Sequence, residues 1–172
     1  MRVFLYLLLL TALYGCVTEK ESAGSRYEVP SRQHDLGYIP HDPQLDDSAY
    51  TVCDSTKIHS GRNRLHYAAG TEKLREDIRA NYVYSPKYAT FNGYVIVRFL
   101  VNCQGQTGRY RVQALHPDFS PATAPATLLP HLTDLIRRLN NWTKSPEYGR
   151  QAEYAKYINL QFTDGKLQYV LL

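Results

Sequence analysis

The sequence lacks the short motifs that mark common active sites, and it has no long apolar run beyond its first fifteen residues. It contains no G-x-S-x-G nucleophile elbow, no H-E-x-x-H zinc motif and no phosphate-binding loop. The formal net charge is only +4, from 20 basic and 16 acidic side chains spread along the chain. Without a basic stripe, nucleic acid is not an expected partner. We therefore expect neither an enzyme nor a cofactor, and no multi-pass membrane protein.

What is present is the composition of a folded globular protein, with 44% hydrophobic and 21% charged residues. A chain of 172 residues has room for one ordinary domain and a tail. Fifteen tyrosines, beside one tryptophan and one methionine, favour strands and a tyrosine-rich surface over a helical bundle.

The N-terminus has the layout of a processing signal. Arg2 is its one early cation, and the mostly apolar run 3–12 carries no charge. That run is too short for a permanent spanning helix, which needs about 20 residues, but it has the length of a signal-peptide core. It leads into Leu13-Tyr14-Gly15-Cys16, which resembles the lipobox of Gram-negative bacterial lipoproteins. The alternatives are a plain secretory signal with a coincidental cysteine, or an uncleaved anchor.

The lipobox resemblance implies that residues 1–15 are removed as a signal peptide and that Cys16 is acylated, for example with palmitate. Each buried acyl methylene contributes about 0.8 kcal/mol, so several chains would anchor the protein without a spanning helix. Val17 stands where, by the same resemblance, an Asp would favour the inner membrane, so it points to the outer membrane. Whether the protein faces the periplasm or the cell surface stays open.

Two cysteines remain after Cys16, namely Cys53 and Cys103. An exported chain passes through an oxidising compartment, where an even number of cysteines favours a disulfide. Nothing in the sequence places the two side by side, so two unrelated small residues are the open alternative. A metal site made of Cys53, His59 and His66 is disfavoured, because their spacings match no structural zinc motif.

The periodicity divides the rest of the chain into a tether and one domain. Residues 16–48 contain several prolines and no hydrophobic period, which predicts a lipidated, flexible tether. Residues 49–172 begin with a weak hairpin over 49–67. The further predicted elements are helices over 71–81 and 129–139 and strands over 93–102, 109–115, 154–162 and 166–172. This α-β-β-α-β-β order predicts an α+β fold: a small antiparallel sheet with two helices packed on one face.

From residue 67 to residue 162 the chain resembles the C-terminal domain of TonB. The matching features are, in order, Ala68-Ala69-Gly70 before a short helix, Tyr84-Ser85-Pro86, the strand 93–101, Trp142 and the strand 158–162. The resemblance implies a domain that adds a strand of its partner to an exposed sheet edge. TonB itself has a spanning helix and a long proline-rich rod, which this chain replaces with a lipobox and a short tether. We therefore expect binding without energy transduction.

Together these features favour a lipid-anchored envelope module that captures an envelope protein or peptide by β-strand addition. The candidate partner-binding edge is the last predicted strand, with the residues Lys166, Leu167, Gln168, Tyr169, Val170 and Leu171. This edge is available only if the strand is terminal in the sheet. The alternative is that it closes the fold or is covered by residues 50–67.

Two other functions also fit the sequence. The protein could be a structural envelope protein that contacts peptidoglycan through basic side chains, namely Arg75, Arg79, Arg109 and Arg111. It could also be a TonB-related accessory of outer-membrane transport. The apolar outer face formed by Tyr94, Ile96 and Leu100 could serve as a homodimer surface or be covered by the N-terminal hairpin.

Catalysis is not expected from the positions of the titratable residues. Asp46 and Asp47 lie in the predicted tether, where no rigid scaffold would orient them. His116 and His131 flank a loop, but neither has an obvious acidic or nucleophilic partner in the sequence. A deep pocket in which a His and an Asp converge would be the observation that favours an enzyme.

Overall fold

The computed structural model describes residues 39–56, 58–60, 65–144 and 153–172. Its helices and strands are, in chain order, β1 (Ile58–Ser60), β2 (Leu65–Tyr67), α1 (Gly70–Asn81), β3 (Gly93–Val101), β4 (Thr107–Leu115), α2 (Leu128–Arg137), β5 (Trp142–Lys144), β6 (Glu153–Thr163) and β7 (Lys166–Leu171). The fold is α+β, as predicted. The ends of the two predicted helices and of the four long strands differ from the prediction by at most two residues.

The main sheet has five strands and is mixed, not antiparallel as predicted. Its order is β4-β3-β6, and both β1 and β7 pair with the far side of β6. β1 runs parallel to β6, with Ile58 opposite Glu153, whereas the other pairs of this sheet are antiparallel. A hairpin connection forces its two strands to be antiparallel. β1 can run parallel to β6 because the two strands are far apart in the sequence and no hairpin connects them.

The predicted hairpin over 49–67 is also wrong. β1 pairs with β6, while β2 pairs with β5 in a separate two-stranded sheet. Both strands have only three residues, which is too short for a period-2 pattern to reveal a partner. Their partners are set by long-range packing instead.

Both helices pack against one face of the sheet. Val95, Val97 and Phe99 alternate along β3 and are fully buried on that face. The buried residues of the helices that join them are Leu74 and Ile78 of α1 and Leu128, Leu132, Leu135 and Ile136 of α2. The apolar periodicity that predicted the helices therefore marks the side that each buries.

Particular residues fix the ends of the two helices. α1 begins at Gly70, whose φ of 87° turns the chain into the helix. Pro130 lies in the first turn of α2, where its missing N–H has no intrahelical partner to lose. Trp142 is buried, and its indole N–H donates to the carbonyl of Leu139 at 2.8 Å, so it anchors the end of α2.

The opposite face of the sheet is partly covered by residues 39–56, which we call the N-terminal cover. Ile39 is 1% exposed and packs against Leu100 and Ala155, with Tyr50 and Val52 beside them. The predicted tether is therefore wrong over 39–48, since this part of the chain is packed onto the domain. This packing could not be predicted from the sequence, because single residues, and not a helix or strand with a periodic pattern, hold the segment in place.

The N-terminal cover closes only part of the proposed homodimer surface. Leu100 is fully buried beneath Ile39. Tyr94 and Ile96 lie further along β3 and are half-buried. The ring of Phe119 stacks on Tyr94 with 5.0 Å between ring centroids, although Phe119 itself is 67% exposed. The apolar outer face is thus divided into a covered part and an aromatic, accessible part.

Candidate functional site

The candidate edge, β7, is a terminal strand of the main sheet. It pairs with β6 and with no other strand in the described parts of the chain. β1 lies on the same side of β6 but only at the other end, opposite residues 153–155. Between β1 and β7, residues 156–158 have no strand partner on that side within the described ranges. Neither β1 nor β2 pairs with β7, so this edge of the sheet is incomplete.

The side chains of β7 divide between the core and solvent. Val170 is 3% exposed and belongs to the helix-face core, where Leu167 packs beside it. Tyr169 lies opposite Gln161 and emerges on the other face together with Leu171. Tyr169 and Leu171 are 59% and 45% exposed. Large exposed apolar side chains on an edge strand are typical of a pairing or docking surface.

The turn before β7 is held tightly against the domain. Asp164 and Gly165 have φ angles of 50° and 67°, which suit the two-residue turn that the Asp-Gly pair predicts. A Cβ on Gly165 would lie only 2.3 Å from the carbonyl oxygen of Tyr88, so no larger residue fits. The hydroxyl of Tyr82 donates to the carbonyl of Gly165. Burial raises the pKa of Tyr82 to about 12, so this donor keeps its proton at neutral pH.

One side chain of α1 touches the candidate edge. Nε of Arg75 donates to the main-chain carbonyl of Val170 at 3.2 Å, and its guanidinium also pairs with Glu72. The contact ties the C-terminal part of β7 to α1. It also places a positive charge next to the edge that a partner strand would approach.

Cys53 and Cys103 form a disulfide that joins the N-terminal cover to the turn after β3. The sulfur atoms are 1.97 Å apart and the two Cα atoms 6.0 Å apart. Beside the disulfide, Oε1 of Glu153 accepts hydrogen bonds from the main-chain N–H groups of Cys53 at 2.5 Å and Asp54 at 3.2 Å. Glu153 is fully buried. A covalent bond and a buried carboxylate therefore fix the same loop.

The metal-ligand types that the sequence singled out are not brought together. In the described ranges the only cluster of three possible ligands is Cys53, Cys103 and Glu153, whose ligand atoms lie within 4.8 Å of one another. The two sulfurs are bonded to each other, so neither is the thiolate that binds metals. His59 lies elsewhere, with its ring 6.1 Å from that of Tyr154, and His66 is on β2.

Asp46 forms a buried ion pair that the sequence did not reveal. Its carboxylate accepts hydrogen bonds from Arg111 at 2.7 and 3.0 Å, and its side chain is only 1% exposed. These bonds lower the pKa of Asp46 to about 2, against the opposing effect of desolvation. The expectation that no scaffold orients Asp46 was wrong, because β4 supplies one. The single isoleucine at position 39 was the one signal that the segment is packed.

A cavity of about 340 Å³ lies beside this ion pair and is lined by His41, Asp46, Ser48 and Tyr50, among others. Nδ1 of His41 is 3.3 Å from Oδ2 of Asp46, so a His and an Asp do converge here. Nucleophilic catalysis also needs a hydroxyl or thiol in hydrogen-bond contact with the histidine. None of the described Ser, Thr or Cys residues makes that contact with His41, and Asp46 is already bound to Arg111.

The histidines that flank the loop before α2 have different surroundings. His131 stacks on Tyr82 and Tyr88, with ring centroids 5.5 and 5.8 Å away, and its Nδ1 is 3.2 Å from the hydroxyl of Tyr88. Burial lowers the pKa of His131, which favours a neutral ring packed among aromatic residues. His116 is exposed on the surface. The two histidines therefore do not share a site.

The four arginines proposed to contact peptidoglycan do not form one patch. Arg75 and Arg79 lie on α1, near β7, whereas Arg109 and Arg111 lie on β4 at the opposite edge of the sheet. Arg111 is bound to Asp46, and Arg109 donates to the carbonyl of Ile39 at 3.1 Å. Three of the four guanidinium groups, with that of Arg75, thus have partners within the protein.

The predicted signal peptide, Cys16 and residues 16–38 of the predicted tether lie outside the described residues. Of the helices in the described ranges, none has the length and apolar character needed to cross a bilayer. No protein-family model, no curated protein and no solved structure matches this chain.

Proposed function

We propose that this protein is a lipid-anchored binding module of the cell envelope that captures an extended peptide of a protein partner by strand addition at β7. The observation that carries the proposal is that the outer side of β7 pairs with no strand in the described parts of the chain, while Tyr169 and Leu171 are exposed beside it. In strand addition the main-chain groups of the edge supply affinity, and alternate side chains supply specificity. The module binds its partner without a catalytic step.

We further infer that the domain is related in fold to the C-terminal domain of TonB. The support is the order α1-β3-β4-α2-β6-β7, with the short strand β5 between α2 and β6, together with the sequence features that resemble that family. The N-terminal cover, its disulfide and the parallel strand β1 are additions to that pattern. In this interpretation the acylated Cys16 holds the domain on the outer membrane, and energy transduction is absent.

Site-specific photo-crosslinking in the native envelope tests the capture. A photoreactive residue at Gln168, which is exposed on β7, should give a discrete adduct from the full-length, lipidated chain. The same residue at Val83, which is 69% exposed after α1, is the matched control and should not give that adduct. Identical adducts from both positions, or none from Gln168, would rule out capture at this edge.

A pair of charged substitutions tests whether the edge itself carries the affinity. Tyr169→Lys with Leu171→Lys should lower the yield of the adduct about tenfold, which corresponds to about 1.4 kcal/mol, because charges oppose strand pairing at an edge. Leu45→Lys changes a side chain that is 66% exposed on the N-terminal cover and should leave the yield unchanged. Equal losses in both proteins would contradict the proposal.

The anchor is tested separately. Cys16→Ala should abolish labelling by radioactive palmitate and release the protein from sedimenting membranes, because the acyl chains supply the membrane affinity. A Cys16→Ala chain that sediments as the original does would contradict lipid anchoring, without bearing on the edge.

A further inference from the structure

Lys156 occupies an inward-facing position of β6. It lies opposite Phe99, and Tyr154 and Ile158 are its neighbours two positions away on either side. Side chains along a strand alternate between the two faces, so Lys156 shares the helix-facing side with these residues. Phe99, Tyr154 and Ile158 are fully buried, whereas Lys156 is half-buried. A cationic side chain therefore projects from a row of core positions.

The ammonium group of Lys156 has no counter-ion within the described chain. No carboxylate of the described residues forms an ion pair or hydrogen bond with it, and desolvation is the one cause that lowers its pKa. Lys73 on α1 shows the usual solution, with Nζ 2.9 Å from Asp77. A charge that is partly desolvated and unpaired is unfavourable. An anion supplied from outside would remove that cost.

Lys156 lines a cavity of about 130 Å³ between β2, α1 and β6, which we call the Lys156 pocket. Arg75 and Thr71 of α1, Trp142 and Leu172 also line it. The volume corresponds to about four water molecules at roughly 30 Å³ each, which is room for a carboxylate group. Lys156, which has no counter-ion in the described chain, Thr71 and Arg75, whose guanidinium also pairs with Glu72, thus line a space of the right size for a small anion.

The Lys156 pocket is continuous with the candidate edge. Arg75 lines the pocket and also binds the carbonyl of Val170, and Leu172, which follows β7 directly, lines the pocket as well. A peptide paired with β7 would therefore reach the pocket at the C-terminal end of that strand. We propose that the Lys156 pocket binds a carboxylate, and that this carboxylate is an acidic group of the peptide captured on β7. The pocket's affinity stands on its own geometry, whereas the source of the carboxylate rests on the proposed function.

Sodium acetate is the probe for the pocket. The full-length protein carries lysines labelled with ¹³C at Cε, and the signal of Lys156 is assigned from a Lys156→Met spectrum. Acetate should move this signal saturably and raise the pKa of Lys156, because a nearby anion favours the charged form. Sodium chloride at equal ionic strength should not reproduce the effect, and the exposed Lys166 serves as the internal control.

A shift at Lys156 that is linear in salt and equal to that at Lys166 would overturn the proposal. It would mean that the lysine stem packs on apolar surface while the ammonium reaches water. Saturable binding of inorganic phosphate with no effect of acetate would overturn the carboxylate assignment. The titrations themselves are made on the unsubstituted protein, and the Lys156→Met spectrum serves only to assign the signal.

The source of the carboxylate is tested in the envelope. Lys156→Met should lower the yield of the Gln168 adduct several-fold, whereas Lys87→Met, at an exposed position outside the edge and the pocket, should not. If the unsubstituted protein binds acetate but Lys156→Met gives an unchanged adduct yield, the link between the pocket and the captured peptide is overturned. Failure of strand capture is recognised separately, because Tyr169→Lys with Leu171→Lys would leave acetate binding intact.

Discussion

The two faces of the main sheet are closed by different kinds of interaction. On the helix face, apolar side chains of α1 and α2 interlock with β3 and β6 in one large core. On the outer face, the apolar cluster consists of Ile39, Leu100 and Ala155 with a few half-buried neighbours. The N-terminal cover is held there by a disulfide, by Glu153 and by the Asp46–Arg111 pair.

This difference between the two faces shows which interactions position the candidate edge and which only hold the N-terminal cover on the domain. Hydrophobic burial on the helix face is distributed over many residues, each contributing about 1.5 to 3 kcal/mol. The outer face depends on a few specific links, so losing one should loosen the whole N-terminal cover. β7 belongs to the helix face through Val170, so the edge should survive changes on the outer face.

The largest effect should come from removing the disulfide. Cys53→Ala with Cys103→Ala should lower the free energy of unfolding by about 4 kcal/mol, because the bond closes a loop between residues 50 apart in sequence. Urea unfolding measures the loss, and hydrogen exchange should show the N-terminal cover opening while β7 stays protected. The reduced original chain is the control and should match the double variant. If the double variant had the same unfolding midpoint as the original chain, the disulfide would not stabilise the outer face as we expect.

A substitution in the core of the helix face should also lower the free energy of unfolding. Leu132→Ala should cost about 3 kcal/mol, because Leu132 is fully buried and a cavity remains. Leu129→Ala, at a half-buried position of the same helix, is the matched control and should cost about 1 kcal/mol or less. Fluorescence of Trp142, which contacts this core, reports the transition. Equal losses in the two proteins would mean that burial does not determine the stability of this face.

The same difference explains what could be predicted from the sequence. The helix face was predicted because Leu132, Leu135 and Ile136 repeat with a helical period and Val95 and Val97 alternate. The hairpin of β6 and β7 was predicted from the Asp-Gly turn, whereas the position of β7 at the edge of the sheet was left as a condition and is given by the strand pairing.

What the sequence missed lies mostly on the outer face. Ile39 and Asp46 are single residues whose partners, Leu100 and Arg111, are more than sixty positions away, and no local pattern encodes such contacts. The parallel pairing of β1 likewise depends on tertiary packing.

The buried ion pair should contribute less than either the disulfide or the core. Since the pKa of Asp46 falls from 3.8 to about 2 on folding, the pair should contribute about 2 kcal/mol near neutral pH. A lowered pKa means that this contribution is complete above pH of about 4 and is lost as the pH falls towards 2. Asp46→Asn should therefore destabilise the protein at pH 7 and flatten the dependence of stability on pH between about 4 and 2. The exposed Asp47→Asn is the control. A parallel pH dependence in Asp46→Asn and the original chain would contradict this account.

The smallest effect should come from an ion pair of the same chemistry at the surface. Nη1 of Arg137 lies 2.9 Å from Oδ1 of Asp134, but the two side chains are 58% and 56% exposed. Water and salt screen such a pair, so Asp134→Asn should cost only about 0.3 kcal/mol. Urea unfolding at low and high salt measures it, and the difference from the original chain should vanish at high salt. A loss as large as that of Asp46→Asn would mean that pairing alone stabilises the protein. A small loss would show that the Asp46–Arg111 pair stabilises the protein because its carboxylate is buried against β4. A buried charge that loses its partner is poorly hydrated, whereas an exposed one is hydrated by solvent.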